Sequence, residues 1–157
     1  DKYIVFDDKG VCNHCYEYDK VVKPYLLNKE KKQQQLDIII SRIKEAGKGR
    51  AYDCIAGLSG GMDSSYVLYL AKKYNLRTLV VHFDNGWDSE LAIKNIDNII
   101  NATGFEYYNY VVDWEEFKDL QRSYFKASVV DVEVTTDMGI FSMISQLALK
   151  YDVKYIL

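Results

Sequence analysis

The sequence predicts an α/β fold in which a parallel sheet lies between two layers of helices, preceded by a small cysteine-containing N-terminal segment. Short apolar runs alternate with amphipathic helical patterns from residue 51 onward. Such alternation requires right-handed crossovers, and these give parallel strands covered on both faces. A glycine- and serine-rich turn directly follows the first apolar run. Parallel sheets bind ligands at the carboxyl ends of their strands, so this turn is the first candidate site.

The apolar periodicity defines the elements of the larger region. Apolar residues recur at helical spacing between and after the predicted strands. Asp113, followed three residues later by Glu116, forms a capping box that starts the third of these helices. The four predicted strands are residues 52–58, 78–83, 106–112 and 153–157.

The N-terminal region has a different organisation. Residues 3–6 form a short strand candidate, and residues 20–32, which contain the only proline, are interpreted as a connector with some helical turns. A helical pattern then runs to Gly47. We therefore predict an appendage over residues 1–32 and an α/β domain over residues 33–157.

The composition of the chain limits the classes of protein to which it can belong. With 157 residues, 48% hydrophobic and 27% charged, the chain suits one globular domain plus an appendage. It has no apolar stretch of about 20 residues and no charged-then-apolar leader, so we expect a cytoplasmic protein without membrane contact. A net charge of −3 disfavours nucleic acid as a partner. Since the first residue is not methionine and the last lies in a predicted strand, we expect a fragment of a longer chain.

The turn at residues 59–65 reads S-G-G-M-D-S-S and precedes a helix. Gly60 and Gly61 let the backbone approach an anion closely, and the serines, Ser59, Ser64 and Ser65, supply hydroxyl donors. Unpaired N–H groups and the dipole at the start of the helix also favour bound phosphate. The turn contains neither a P-loop lysine nor the dinucleotide-binding glycine pattern.

Asp63 within this turn is the candidate for the metal side of the site. A carboxylate repels polyphosphate unless a cation such as Mg²⁺ lies between them. The alternative is a helix that follows a glycine turn, with the serines and Asp63 serving only as caps.

A second polar segment leaves the next strand at the same sheet edge. The backbone of His82, Phe83 and Asp84 is a candidate for contacting adenine, and Asp84 or Asn85 for contacting the ribose. The alternative is an ordinary polar turn in which Ser89 caps the following helix.

A third segment precedes the last predicted helix and concentrates carboxylates and hydroxyls. Asp131, Glu133, Thr136 and Asp137 are candidates for binding a hydroxylated substrate. Asp137 serves equally well as the N-cap of that helix.

The cysteines give an incomplete metal pattern. Cys12 and Cys15 have the spacing of half a zinc site, but zinc needs four ligands and His14 is badly placed to contribute. Two inert thiols and a redox pair are the alternatives. Cys54, in the first core strand, is interpreted as a small buried hydrophobe.

Taken together, these segments resemble the N-acetyl sugar amidotransferases, which are PP-loop ATP pyrophosphatases of surface-polysaccharide, lipopolysaccharide and nonulosonic acid pathways. The resemblance covers nearly the whole chain and is carried by residues 6–15, 53–65 and 131–137. It implies a Rossmann-like PP-loop (adenine nucleotide alpha hydrolase-like) fold. The chain departs from the family in lacking an upstream Cys-x-x-Cys, and in carrying Met62 where some members have lysine.

The resemblance also implies an activity. The enzyme would transfer AMP from ATP to the acetamido oxygen of an N-acetyl sugar, and ammonia would then displace AMP to give an acetamidino sugar. Ser59 and Asp63 would be the catalytic residues, with Mg²⁺ at the phosphates and Zn²⁺ only if further ligands lie upstream. A separate glutaminase subunit would supply ammonia. A homodimer is a further expectation for this chain.

Three alternatives remain open at this stage. A PP-loop tRNA-modifying enzyme is disfavoured by the acidic balance and by the absence of a cysteine after Cys54. A ligase acting on a nucleotide base or an amino acid would share the same loop. A nucleotide-binding module without turnover is the alternative from outside the enzymes.

Overall fold

The structure, a computed structural model, describes residues 2–26 and 29–157. It divides into two compact units, Asp1–Ser41 and Arg42–Leu157. The division falls within helix α3 (Lys29–Gly47). The predicted domain boundary after residue 32 remains a prediction. No helix in the described ranges combines the length and apolar composition needed to cross a membrane.

The first unit begins with a tight loop stabilised by side chains. Phe6 and Cys12 form one antiparallel bridge, so the strand predicted over residues 3–6 is reduced to a single pairing. Asp7 Oδ1 accepts hydrogen bonds from the N–H groups of Lys9 and Val11, which turns the chain between the bridge partners.

A helical run follows this loop. It consists of α1 (Asn13–Glu17), a π-helical turn (Tyr18–Val22) and α2 (Lys23–Leu26). The predicted connector is therefore largely helical, although its residues 27 and 28 lie outside the described part of the chain.

The second unit contains a parallel sheet with strand order β1-β2-β3. Three predicted strands are confirmed as β1 (Cys54–Gly57), β2 (Thr78–Asp84) and β3 (Glu106–Val111). The fourth is present only as a parallel bridge between Ile156 and Ile55, on the side of β1 away from β2. The helices of this unit are α4 (Met62–Lys73), α5 (Glu90–Thr103), α6 (Trp114–Ala127) and α7 (Val134–Lys150).

Helices cover both faces of the sheet, as the alternating pattern predicts. Successive strand residues point to opposite faces, so neighbours in one strand enter different cores. On one face, strand residues pack with α7; on the other, they pack with α4 and α5. The first core comprises Ile55, Leu79, Val81, Met143, Ile144, Leu147 and Val153, and the second comprises Ala56, Leu58, Leu68, Val80 and Ile96.

An ion pair fixes the start of the sheet to the end of α3. Asp53 is buried, and its carboxylate accepts a hydrogen bond from the backbone N–H of Arg77 at 2.8 Å. The Arg77 guanidinium also donates to the carbonyl of Gly47 at 2.7 Å. A Cβ atom at Gly47 would lie only 2.7 Å from the Asp53 Cα, so the helix end approaches the strand too closely for a larger residue.

Gly47→Ala is expected to destabilise the protein by about 1–3 kcal/mol, because overpacking forces the backbone at Asp53 to move. Gly57→Ala is the matched control, since its Cβ would meet nothing within 4 Å. That control should be neutral or stabilising by up to about 1 kcal/mol. Urea unfolding of both variants measures the difference, and equal midpoints would contradict the assigned packing.

Candidate functional site

The turn between β1 and α4 is held in a conformation that requires glycine. Gly60 has φ +74°, and a Cβ there would lie 2.4 Å from the carbonyl oxygen of Ala92 in α5. The side-chain amide of Asn95 donates to the Gly60 carbonyl at 3.0 Å. The turn is therefore fixed against α5 by backbone conformation, close packing and a hydrogen bond.

The serines of this turn bond weakly to one another. Ser59 Oγ and Ser64 Oγ are 3.3 Å apart, and the N–H groups of Ser59 and Gly61 reach serine hydroxyls only at 3.3 and 3.4 Å. Hydrogen bonds of this length are weak. These hydroxyls and N–H groups can therefore exchange their internal contacts for the oxygens of a bound phosphate.

The start of α4 favours anion binding over simple capping. Its N-cap is Gly61, which makes no side-chain capping bond, so the first turn keeps unpaired N–H groups. Asp63 lies within that first turn and is exposed, so it is not the N-cap of α4. Ser65 Oγ donates to the Gly61 carbonyl and closes the turn.

Asp63 suits a magnesium ion that is shared with phosphates. Within the described residues no three His, Cys, Asp or Glu side chains cluster as a metal site. Mg²⁺ is commonly held by one or two carboxylates together with substrate phosphates and water. Asp63, with an exposed carboxylate in the first turn of α4, fits that arrangement.

A small cavity of about 250 Å³ lies beside the turn and joins three separate chain segments. The side-chain amide of Asn85, after β2, donates to Thr136 Oγ1, in α7, at 3.2 Å and closes one side. The cavity therefore brings together members of all three candidate segments. Its polar lining comprises Ser59, Ser64, His82, Asn85, Asp88 and Thr136.

His82 helps to hold the turn at residues 59–65 through contacts of its two ring nitrogens. It is buried, with Nδ1 2.7 Å from the carbonyl oxygen of Leu58 and Nε2 2.9 Å from a carboxylate oxygen of Asp88. Because a carbonyl only accepts hydrogen bonds, Nδ1 carries the proton of that contact. The ring thus holds the residue that directly precedes Ser59. The sequence reasoning missed Asp88, whose partner is identifiable only in three dimensions.

The residues at the end of β2 and directly after it use their side chains mainly for local structure. The Phe83 ring packs in the core, while Asp84 accepts from the N–H of Gly86 at 3.0 Å. Ser89 caps α5 by accepting from the N–H of Ala92 at 3.1 Å, so the polar-turn interpretation describes these side chains. Adenine contact by the backbone of residues 82–84 remains a prediction.

The acidic segment contributes one residue to the cavity. Thr136 lines it, whereas Asp131, Glu133 and Asp137 are exposed and do not. Asp131 accepts a local hydrogen bond from the N–H of Glu133 at 3.0 Å. The N-cap of α7 is Glu133, so the interpretation of Asp137 as the cap is wrong.

A larger open groove of about 610 Å³ lies between α6 and α7 over the sheet, and sequence reasoning missed it. Its floor is formed by Phe83, Tyr108 and Tyr110. Phe83 and Met143 line both this groove and the small cavity, so the two spaces adjoin.

One protein-family model matches this chain. The family model described as Queuosine biosynthesis protein QueC matches residues 53–144, which is more than half of the chain. The chain belongs to this family. A search of curated proteins gave no match. The family is one of the PP-loop ATP pyrophosphatases, as the turn predicted, whereas membership of the sugar amidotransferases is not shown by these matches.

Solved structures show the same fold. The NMN synthetase of Francisella tularensis aligns over 78% of this chain and 52% of its own, with TM-score 0.55 and 14% identity. The glutamine-dependent NAD+ synthetase of Acinetobacter baumannii, solved with ADP, aligns over 74% and 22%, with TM-score 0.60 and 18% identity. The U34-tRNA thiolase NcsA of Methanococcus maripaludis, solved with its [4Fe-4S] cluster, aligns over 80% and 45%, with TM-score 0.51 and 14% identity. This chain spans about half of these proteins or less.

The cysteine pair of the first unit has no third metal ligand among the described residues. The sulfurs of Cys12 and Cys15 lie 3.3 Å apart. The hydrogen bond between the two side chains lowers the pKa of Cys12 and raises the pKa of Cys15. Cys54 is buried as expected, and burial raises its pKa to about 11.

Gly60→Ala is expected to destabilise the protein by about 1–3 kcal/mol, because it combines a strained φ with a clash against Ala92. Gly61→Ala is the control, since φ there is −81° and its Cβ would make only a 3.4 Å contact with Ser59 Oγ. Urea unfolding should leave the Gly61 variant within about 0.5 kcal/mol of the parent. A stable Gly60 variant would show that the turn has another conformation.

Cys12 is expected to be alkylated first as pH is raised. The thiolate is the reactive form, and a lowered pKa produces thiolate at lower pH, whereas Cys15 and Cys54 need higher pH. Iodoacetamide labelling across about pH 6–10, a range that brackets the pKa of a free thiol, checks this order. The labelled positions are identified by peptide mass spectrometry. Equal labelling of Cys12 and Cys54 at neutral pH would contradict it.

Proposed function

We propose that the protein is an ATP-dependent amidotransferase that splits ATP into AMP and pyrophosphate and acts on the acetamido group of an N-acetyl sugar. The proposed cleavage of ATP is supported chiefly by one observation, the turn at residues 59–65. It combines a glycine backbone fixed against α5, weakly engaged hydroxyls and an uncapped helix start. Those are the features that hold the outer phosphates of a nucleotide.

The roles of the chain's own residues follow from this placement. Backbone N–H groups at the start of α4, with Ser59 and Ser64, bind the phosphates that become pyrophosphate. Asp63 would hold Mg²⁺, which when bound neutralises charge on the phosphates. His82 keeps Leu58 and the turn in place. Catalysis then rests on positioning and electrostatic stabilisation.

The proposed reaction has two steps. The acetamido oxygen attacks the α-phosphorus, a C–O–P bond forms, and the bond between the α-phosphorus and its bridging oxygen breaks as pyrophosphate leaves. Ammonia then attacks the activated carbon, the C–O bond breaks, and AMP leaves with the oxygen. The product is an acetamidino sugar, and the excess protons pass to solvent. Activation is required because an amide oxygen is a poor leaving group.

The ammonia source is proposed to be a separate glutaminase. Cys54 is the only cysteine of the second unit, and burial raises its pKa to about 11, so it is not an activated nucleophile. Cys12 lies in the first unit, where its side chain bonds to Cys15. The sugar specificity is supported by the resemblance over residues 6–15, 53–65 and 131–137.

A role in queuosine biosynthesis or tRNA modification is the second candidate function. The matching family carries the first description, and one structural neighbour is a tRNA thiolase. The net charge of −3 provides no broad basic surface for an RNA backbone.

Pyrophosphate release from MgATP distinguishes these candidates. The chain is assayed with ammonium and either N-acetyl sugars, their nucleotide-linked forms or bulk tRNA. Release that depends on an acetamido sugar, with an acetamidino product in the mass spectrum, is the expected result. Release that depends on tRNA would overturn the sugar assignment.

Ser59→Ala and Asp63→Asn are expected to weaken MgATP binding by about 10- to 100-fold, since each removes a contact to a charged group worth roughly 1.5–3 kcal/mol. Asp119→Asn, an exposed carboxylate on α6, is the control and should bind as the parent does. Isothermal titration measures all three. Unchanged affinity in both site variants would mean that nucleotide binds elsewhere.

A further inference from the structure

We propose that the groove between α6 and α7 binds the saccharide of the acceptor, and that the acidic segment at residues 131–137 does not. This inference rests on the proposed function, because it names where that function's sugar is held. The groove is defined by a floor from β2 and β3 and by walls from the two helices. Its volume of about 610 Å³ lies within the roughly 300–1,000 Å³ that is typical of small-molecule sites.

The floor of the groove is an aromatic platform. Tyr108 and Tyr110 are two residues apart on β3 and therefore face the same side of the sheet. Phe83 pairs with Tyr110 across the strands, and their rings stack at 5.6 Å with an angle of 5°. The tyrosines remain 37% and 43% exposed. The C–H groups on one face of a sugar ring carry partial positive charge and pack well on the negative face of such rings.

Polar side chains stand around this platform. Glu116 on α6 offers a carboxylate that accepts hydrogen bonds from sugar hydroxyls, and Gln146 on α7 offers both an acceptor and donors. Gln146 is already oriented by donating to Ser142 Oγ at 3.1 Å. Asp113 is occupied by capping α6, so it adds charge rather than a free contact. An aromatic floor with a few oriented polar groups suits a hydroxylated ring better than an extended peptide.

The end of the groove near Gly139 adjoins the small cavity beside the turn at residues 59–65. Gly139, which lacks a Cβ, lets α7 lie directly on the Phe83 ring, because a Cβ there would be 2.4 Å from that ring. Phe83 and Met143 form the shared wall between the groove and the cavity at Ser59 and Ser64. An acetamido group at this end therefore adjoins the nucleotide site.

The opposite end of the groove leaves room for a carrier. Along α7 the lining runs from Gly139 to Lys150, which is about 16 Å at 1.5 Å per residue. That length exceeds a single sugar ring. Lys150 lines the far end, and its ammonium lies 5.1 Å from the centroid of the Tyr151 ring. Its positive charge would favour an anionic group attached to the sugar.

Adjacent tyrosines on opposite faces of β3 provide the test. Tyr107 and Tyr108 are each 37% exposed, but only Tyr108 lines the groove. Binding of methyl N-acetyl-β-D-glucosaminide is followed by ¹H–¹⁵N NMR with Mg²⁺ and a non-hydrolysable ATP analogue present. We expect shifts at Tyr108, Tyr110 and Gln146, about tenfold weaker binding in Tyr108→Ala, which is about 1.4 kcal/mol, and parental binding in Tyr107→Ala. Glu116→Gln should weaken binding in the same direction.

The outcomes separate this inference from the function on which it rests. Shifts confined to residues 131–137, equal loss in both tyrosine variants or no saccharide binding would overturn the groove assignment. A change of oligomeric state in Tyr108→Ala alone would identify a second copy as the occupant and would overturn it too. Sugar-dependent pyrophosphate release decides the function independently, because it can persist whichever surface holds the sugar. Melting temperatures of both variants show whether either change acts through unfolding.

Discussion

The backbone at Gly60 is the constraint on which the candidate site depends. Its φ of +74° turns the chain sharply after β1, and its carbonyl is held by Asn95 of α5. The close approach to Ala92 leaves no space for a side chain. A conformation so restricted is already formed before any ligand binds, and preorganised donors contribute more to binding than donors that must first be ordered. The first N–H groups of α4, which have no capping side chain, therefore have fixed positions above the sheet.

A buried polar pair, His82 and Asp88, gives this turn further support. His82 connects the carbonyl of Leu58 to Asp88, so the ends of β1 and β2 are held in register at the edge where ligands bind. Buried polar groups are retained when their hydrogen bonds are satisfied, as both ring nitrogens are here. The same edge leads through Phe83 to the aromatic groove. Phosphate and acceptor sites would thus share one rigid strand.

Recognition of ATP and recognition of the acceptor depend on different parts of the molecule. Membership of the family described as Queuosine biosynthesis protein QueC and the likeness to NAD synthetases agree with a PP-loop fold and ATP use. The acceptor is decided by surfaces outside the loop, and folds of this kind carry many functions. The groove is proposed as such a surface. Its lining comes from β2, β3, α6 and α7, which are far apart in sequence.

Local patterns in the sequence determined the strands β1, β2 and β3, the cap at Asp113 and the glycine turn, because alternation, capping and turn chemistry act over a few residues. Segments governed by distant contacts were less well predicted. Residues 153–157 form only one bridge, and Asp137 is not a cap because α7 begins earlier, at Val134. The contact between His82 and Asp88 and the groove over Tyr108 and Tyr110 were decided only by the tertiary structure. No short-range pattern in a sequence indicates which part of a sheet face the helices leave uncovered.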